Sequence, residues 1–113
     1  MTGARKKLTK KCDELFSKVI RKAGKCQRCP SKELLQCSHF ISRRYHNTRW
    51  NLSNACSLCK GCHFYFTTHP LEAEDFAIKM MTRSGYEAMK RMARAAPIKT
   101  DFEALIIKLK EEL

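Results

Sequence analysis

Cys26-Gln27-Arg28-Cys29 and Cys59-Lys60-Gly61-Cys62-His63 are the two segments that decide how this chain is built. A Cys-x-x-Cys step sets two thiolates against one face of a tetrahedral zinc ion. A second such pair a few tens of residues later completes the shell. The expectation is a structural Zn²⁺ on Cys26, Cys29, Cys59 and Cys62. Disulfides in a secreted domain are the alternative. No apolar signal segment opens the chain at Met1-Thr2-Gly3-Ala4-Arg5-Lys6-Lys7, so reduced thiols in a cytoplasmic setting are expected. Of the other cysteines, Cys12 fits a helix core and Cys37 and Cys56 pack inside a hairpin. Cys56, three residues before Cys59, is the alternative ligand.

Between the pairs, Leu34-Leu35-Gln36-Cys37-Ser38-His39-Phe40-Ile41 is β-prone. It runs into a polar, basic stretch, Ser42-Arg43-Arg44-Tyr45-His46-Asn47-Thr48-Arg49. Trp50 to Leu58 is expected to return as a second strand, with a short helix beginning at Cys59. Pairing these strands brings the chain back to its starting point and both cysteine pairs together, so that zinc pins the base of the hairpin to the helix.

The flanks are helical in pattern. From about Leu8 to Lys22, Leu8, Cys12, Leu15, Phe16, Val19 and Ile20 share a face, and Gly24 ends the run. Arg5, Lys6, Lys7, Lys10 and Lys11 crowd its start, where the helix dipole disfavours cations. They are a solvated face or contacts to backbone phosphates. Beyond Pro70, Ala73, Phe76, Ala77, Met80 and Met81 form a stripe predicted to stop near Gly85. Tyr86, Met89, Met92, Ala93 and Ala96 form the next, and Thr100-Asp101-Phe102-Glu103 a capping box for a last helix. These stripes pack on the hairpin or form a homodimer surface. The expected architecture is α+β in a single domain: a basic N-terminal helix (1–25), a zinc-braced ββα core (26–68) and C-terminal helices (69–113).

A chain of 113 residues is near the lower limit for a self-sufficient core. A structural zinc ion contributes folding free energy on the order of 10 kcal/mol. The formal charge of +12, from 23 Lys and Arg against 11 Asp and Glu, favours a polyanionic partner through counterion release. No stretch is long and apolar enough to span a bilayer.

Cys26 to Cys29, Ser38-His39-Phe40-Ile41, Asn54 five residues before Cys59, and Cys62-His63 together resemble the HNH, or ββα-metal, endonucleases. The likeness covers about residues 12 to 66 and is greatest to the small four-cysteine zinc type found in phage nucleases linked to recombination. It implies a divalent-metal-dependent hydrolase of DNA phosphodiester bonds, acting on duplex or branched DNA. In that pattern His39 is the general base, pointing across the hairpin at the helix. Asn54 ties the hairpin loop or orients His39, with Asn51 its competitor. His63 is a ligand of a catalytic Mg²⁺ or Mn²⁺ distinct from the zinc, or else a substitute zinc ligand. Arg43, Arg44 and Arg49 place the basic loop against the nucleic-acid backbone. Many members carry Asp or His immediately before the general base; Ser38 stands there, a poor ligand for a hard cation. His46 and His69 are expected to face solvent or DNA. The alternative is a zinc-stabilised DNA-binding module without catalysis, or, further off, a protein-interaction domain in which the charge is incidental.

Overall fold

The computed structural model describes residues 3–113. Helix α1 (Gly3–Arg21) starts earlier than the apolar periodicity marks, because its charged first turns are helix formers without apolar residues. It buries Thr9, Cys12, Leu15 and Phe16. Gly24, at φ +73°, closes its end in a conformation that costs glycine little.

Strands β1 (Leu35–His39) and β2 (Ala55–Cys59) pair antiparallel, with Leu35 opposite Cys59, Cys37 opposite Ser57 and His39 opposite Ala55. The second strand is shorter than expected. A short helix α2 (His46–Arg49) and a 3₁₀ turn at Leu52–Asn54 occupy its predicted beginning. Asn51 accepts a bond from the Ser53 N–H at 2.9 Å and so initiates that turn, a local competition that Asn commonly wins over strand. The outward N–H and C=O of Ser57 both go to Gln27, at 2.8 Å each, which covers the free edge of β2.

Helix α3 (Lys60–Thr68) follows β2 directly, with Cys59 as its N-cap accepting from the Cys62 N–H at 3.4 Å. Three helices complete the chain: α4 (Pro70–Met81), α5 (Arg83–Arg94) and α6 (Phe102–Glu111). The α4–α5 break falls at Thr82, φ +66°, whose hydroxyl caps Gly85 N; Gly85 lies inside α5 rather than at the stop. Ala77, Tyr86, Met89 and Ala93 are buried, whereas Met80 and Met92 of the expected stripes are exposed. Asp101, not Thr100, caps α6, accepting from the Ala104 N–H at 3.1 Å.

The sheet separates two apolar clusters. One contains Cys12, Leu15, Phe16, Trp50, Phe102 and Leu109, and joins α1 and α6 to the hairpin. The other contains Cys26, Cys56, Leu58 and Cys62, under α3 and α4. Alternation along β1 accounts for this: Cys37 and His39 lie on the α1 face, Gln36 and Ser38 on the α3 face. No helix among the described residues is long and apolar enough to cross a membrane.

Asp13 anchors α1 to the hairpin loop. Its carboxylate accepts from Arg49 Nε (3.0 Å) and Nη2 (2.6 Å) and from Trp50 Nε1 (2.9 Å). Although burial raises its pKa, the bonds and charge of Arg49 dominate together and hold it below the ordinary carboxylate range. Its stabilising contribution is therefore complete above about pH 4 and fades as pH falls through the lowered folded value. In urea titrations, Asp13→Asn is expected to cost about 2 kcal/mol at pH 7, the range for charge-assisted hydrogen bonds. The difference from wild type should shrink at acid pH; a pH-independent difference would refute this account of the anchor.

Candidate metal centre and histidine cleft

The four paired cysteines meet as their spacing predicts. The sulfur atoms of Cys26, Cys29, Cys59 and Cys62 lie within 4.8 Å of one another, and Cys29 Sγ is 3.7 Å from Cys59 Sγ. Thiolates about 2.3 Å from a tetrahedral zinc ion stand roughly 3.8 Å apart, so the donor set could hold a structural metal such as zinc. All seven cysteines are free thiols, and Cys56 is not in the group.

Local chemistry favours thiolate here. Arg28 N and Cys29 N donate to Cys26 Sγ at 3.4 and 3.5 Å. Burial opposes ionisation of Cys26, yet such bonds bring it down to about 6. Burial pushes Cys62 up to about 12, so the full set ionises only against a cation. Arg28 Nη1 donates to Cys62 Sγ at 3.5 Å, and its guanidinium lies over Tyr65, 4.1 Å from the ring centre. This second layer offsets the charge of a four-thiolate site. Cys37 and Cys56 are held up at about 12 by burial and are inert packing thiols.

His39 packs against α1 and lines cavities shared with His63, one of which reaches Phe66 and Thr67 of α3. The ring stacks on Phe16, with ring centres 5.3 Å apart. Its Nε2 is 2.8 Å from Arg49 O. A carbonyl only accepts, so Nε2 carries the proton and Nδ1 is the basic nitrogen of the neutral ring. Burial is the main cause holding its pKa below the ordinary value, so the ring is neutral at pH 7.

His63 projects from the first turns of α3. Its Nδ1 is 2.6 Å from Gln36 Oε1, which leaves Nε2 with a free lone pair. A ring held at Nδ1 by a neighbouring oxygen is the usual posture of a metal-binding histidine. His39 and His63 line one cleft of about 600 Å³, together with Asp13, Gln36, Arg21 and Arg43.

The Asn54 side chain bonds to the loop rather than to His39. It is fully buried, and its amide is spent on the loop: Oδ1 accepts from Ile41 N (2.8 Å), and Nδ2 donates to Ile41 O and Thr48 O (3.0 Å each). It sets the shape of the 41–48 segment, and hence of the loop carrying Arg49 O. Asn51 only caps the adjoining turn. The chain matches no family model, curated protein or solved structure.

The three loop arginines separate. Arg49 is committed within the protein to Asp13 and Arg43 O and is largely buried, which removes it as a free phosphate ligand. Its bidentate partner lies on α1, distant in sequence, so the loop composition alone does not reveal the pairing. Arg43 has a 65% exposed side chain and lines the cleft, and Arg44 is exposed. His46 packs edge-on against Trp50, and His69 stacks on Tyr65, each outside the cleft. Sequence reasoning missed Asp13, Gln36 and Arg28. An acidic pair within a cationic helix was a signal for Asp13, and no local pattern marks Gln36.

Cys26→Ala or Cys59→Ala should abolish binding of one zinc per chain and leave the protein largely unfolded, since zinc supplies on the order of 10 kcal/mol. Cys56→Ala should retain the metal. Elemental analysis with circular dichroism checks both; full zinc occupancy in the Cys59 variant would exclude the assigned shell.

Proposed function

We propose that this protein is a divalent-metal-dependent HNH-type endonuclease that hydrolyses phosphodiester bonds in DNA. The observation that carries the reading is the shared cleft of His39 and His63. Each ring has one nitrogen held within the protein and the other left for chemistry, beside the four-cysteine cluster. The charge of +12 supplies affinity for the polyanion. Resemblance to small phage recombination nucleases supports a role in DNA recombination or processing.

In this mechanism His39 Nδ1 takes a proton from water, whose oxygen bonds to phosphorus. The phosphorus–O3′ bond breaks, and the departing oxygen gains a proton from solvent, leaving 5′-phosphate and 3′-hydroxyl ends. Arg43 at the cleft wall binds the phosphate and steadies its added charge. A Mg²⁺ or Mn²⁺ ion held through His63 Nε2 would supply Lewis-acid stabilisation of charge at the leaving oxygen. Gln36 fixes the orientation of that imidazole. Asp13 holds Arg49, whose carbonyl in turn positions His39.

One observation favours the rival, a DNA-binding module without catalysis. Among the described residues the cysteine cluster is the sole convergence of three or more His, Cys, Asp or Glu side chains. Beside His63 the cleft linings add the neutral oxygens of Gln36 and Ser38, and the one carboxylate there, Asp13, is already engaged by Arg49. Phosphate and water would complete the shell of a hard cation.

Plasmid nicking in Mg²⁺ or Mn²⁺ separates the readings. His39→Ala should lose roughly 10²- to 10⁴-fold in rate, the usual contribution of a general base. Because burial lowers the His39 pKa, activity should hold through pH 6.5 and decline only as pH falls through that lowered value. No cleavage by wild type, or equal cleavage by both proteins, would reject the mechanism.

A further inference from the structure

We propose that the outer face of α1 is a docking track for the sugar–phosphate backbone of duplex DNA, leading one strand into the histidine cleft. The proposal rests on the nuclease reading and adds to it the surface and the form of substrate. Lys6, Lys10, Ser17 and Arg21 recur at helical spacing and lie on one face of α1. They line a shallow trough of about 570 Å³. Asp13, Ser17, Arg21 and Arg43 line both this trough and the cleft holding His39 and His63, so the two are continuous.

Lys6 and Lys10 form no ion pair among the described residues. The α1 sequence carries seven Lys and Arg against Asp13 and Glu14, with no acidic residue in its first turn. Asp13 is already engaged by Arg49. Lys6 and Lys10 are exposed, and Lys6 stands in the first turn, where the backbone dipole repels cations. An external polyanion relieves that repulsion.

Three classes of anion are separated by the same surface. The apolar face of α1 is buried through Cys12, Leu15 and Phe16, so the helix has none free to lie in a lipid interface. Single-strand grooves rely on exposed aromatic platforms. The only aromatic ring lining either cavity wall, apart from the histidines, is Phe16, 1% exposed. A straight helix of 19 residues presents about 28 Å of rod, matching roughly eight base pairs of duplex.

The test uses His39→Ala protein without added divalent cation, a 20-base-pair duplex and the matching single strand. Binding is followed by fluorescence anisotropy from 50 to 200 mM KCl. Adding Lys6→Gln and Lys10→Gln should weaken duplex binding roughly tenfold or more and reduce the salt slope by about 1.8, near 0.9 per lost phosphate contact. Lys32→Gln with Lys79→Gln removes the same charge away from the trough and should leave the slope nearly unchanged. An unaltered slope in the α1 pair, an equal loss in the control pair, or single-strand binding as tight as duplex would each overturn the track. Wild-type nicking reports separately on the nuclease reading: cleavage with an unaltered slope sinks the track alone, and slope loss without cleavage sinks the nuclease alone.

Discussion

Convergence of four thiols at the base of a two-stranded hairpin is the constraint on which the rest depends. A pair of strands five residues long is marginal by itself. Here β2 runs into Cys59, which serves at once as strand end, helix cap and cluster member. The knuckle at residues 26–29 is bonded through Gln27 to the middle of β2. A metal at the cluster therefore ties knuckle, strand and helix together, and the position of His63 follows from that of Cys62. Arg28 adds a cation to the thiolates from the side, and its stacking on Tyr65 extends the brace along α3.

His39 depends on a different set of contacts. Phe16 of α1 supports its ring, and Arg49 O holds its Nε2. Arg49 in turn is clamped by Asp13, and the loop that carries it is shaped by the buried amide of Asn54. The two histidines thus rest on different supports and converge where they line the same cavities.

The cysteine pairs, the hairpin and its antiparallel sense, and the three C-terminal helices were legible in the sequence, because spacing and periodicity are local signals. The failures are local competitions or distant contacts. Asn51 diverted the start of β2 into a turn, Thr82 rather than Gly85 broke the helix pair, and Asp101 displaced Thr100 as a cap by one residue. Arg49 was assigned to nucleic acid because its loop is basic; its partner Asp13 lies in another element and leaves no mark near it. The packing of His39 on Phe16 was not legible, because that contact comes from a helix distant in sequence. Gln36 could not have been foreseen, as its value arises only opposite His63.

Asn47 uses its whole amide on the turn after α5: Nδ2 donates to Met92 O, Ala95 O and Ala96 O, and Oδ1 accepts from Ile98 N. One side chain of the basic loop is thereby the clasp for the chain segment that swings back toward α6. The segment leading to the last helix is thus fastened to the basic loop at a single residue, through hydrogen bonds made by one amide.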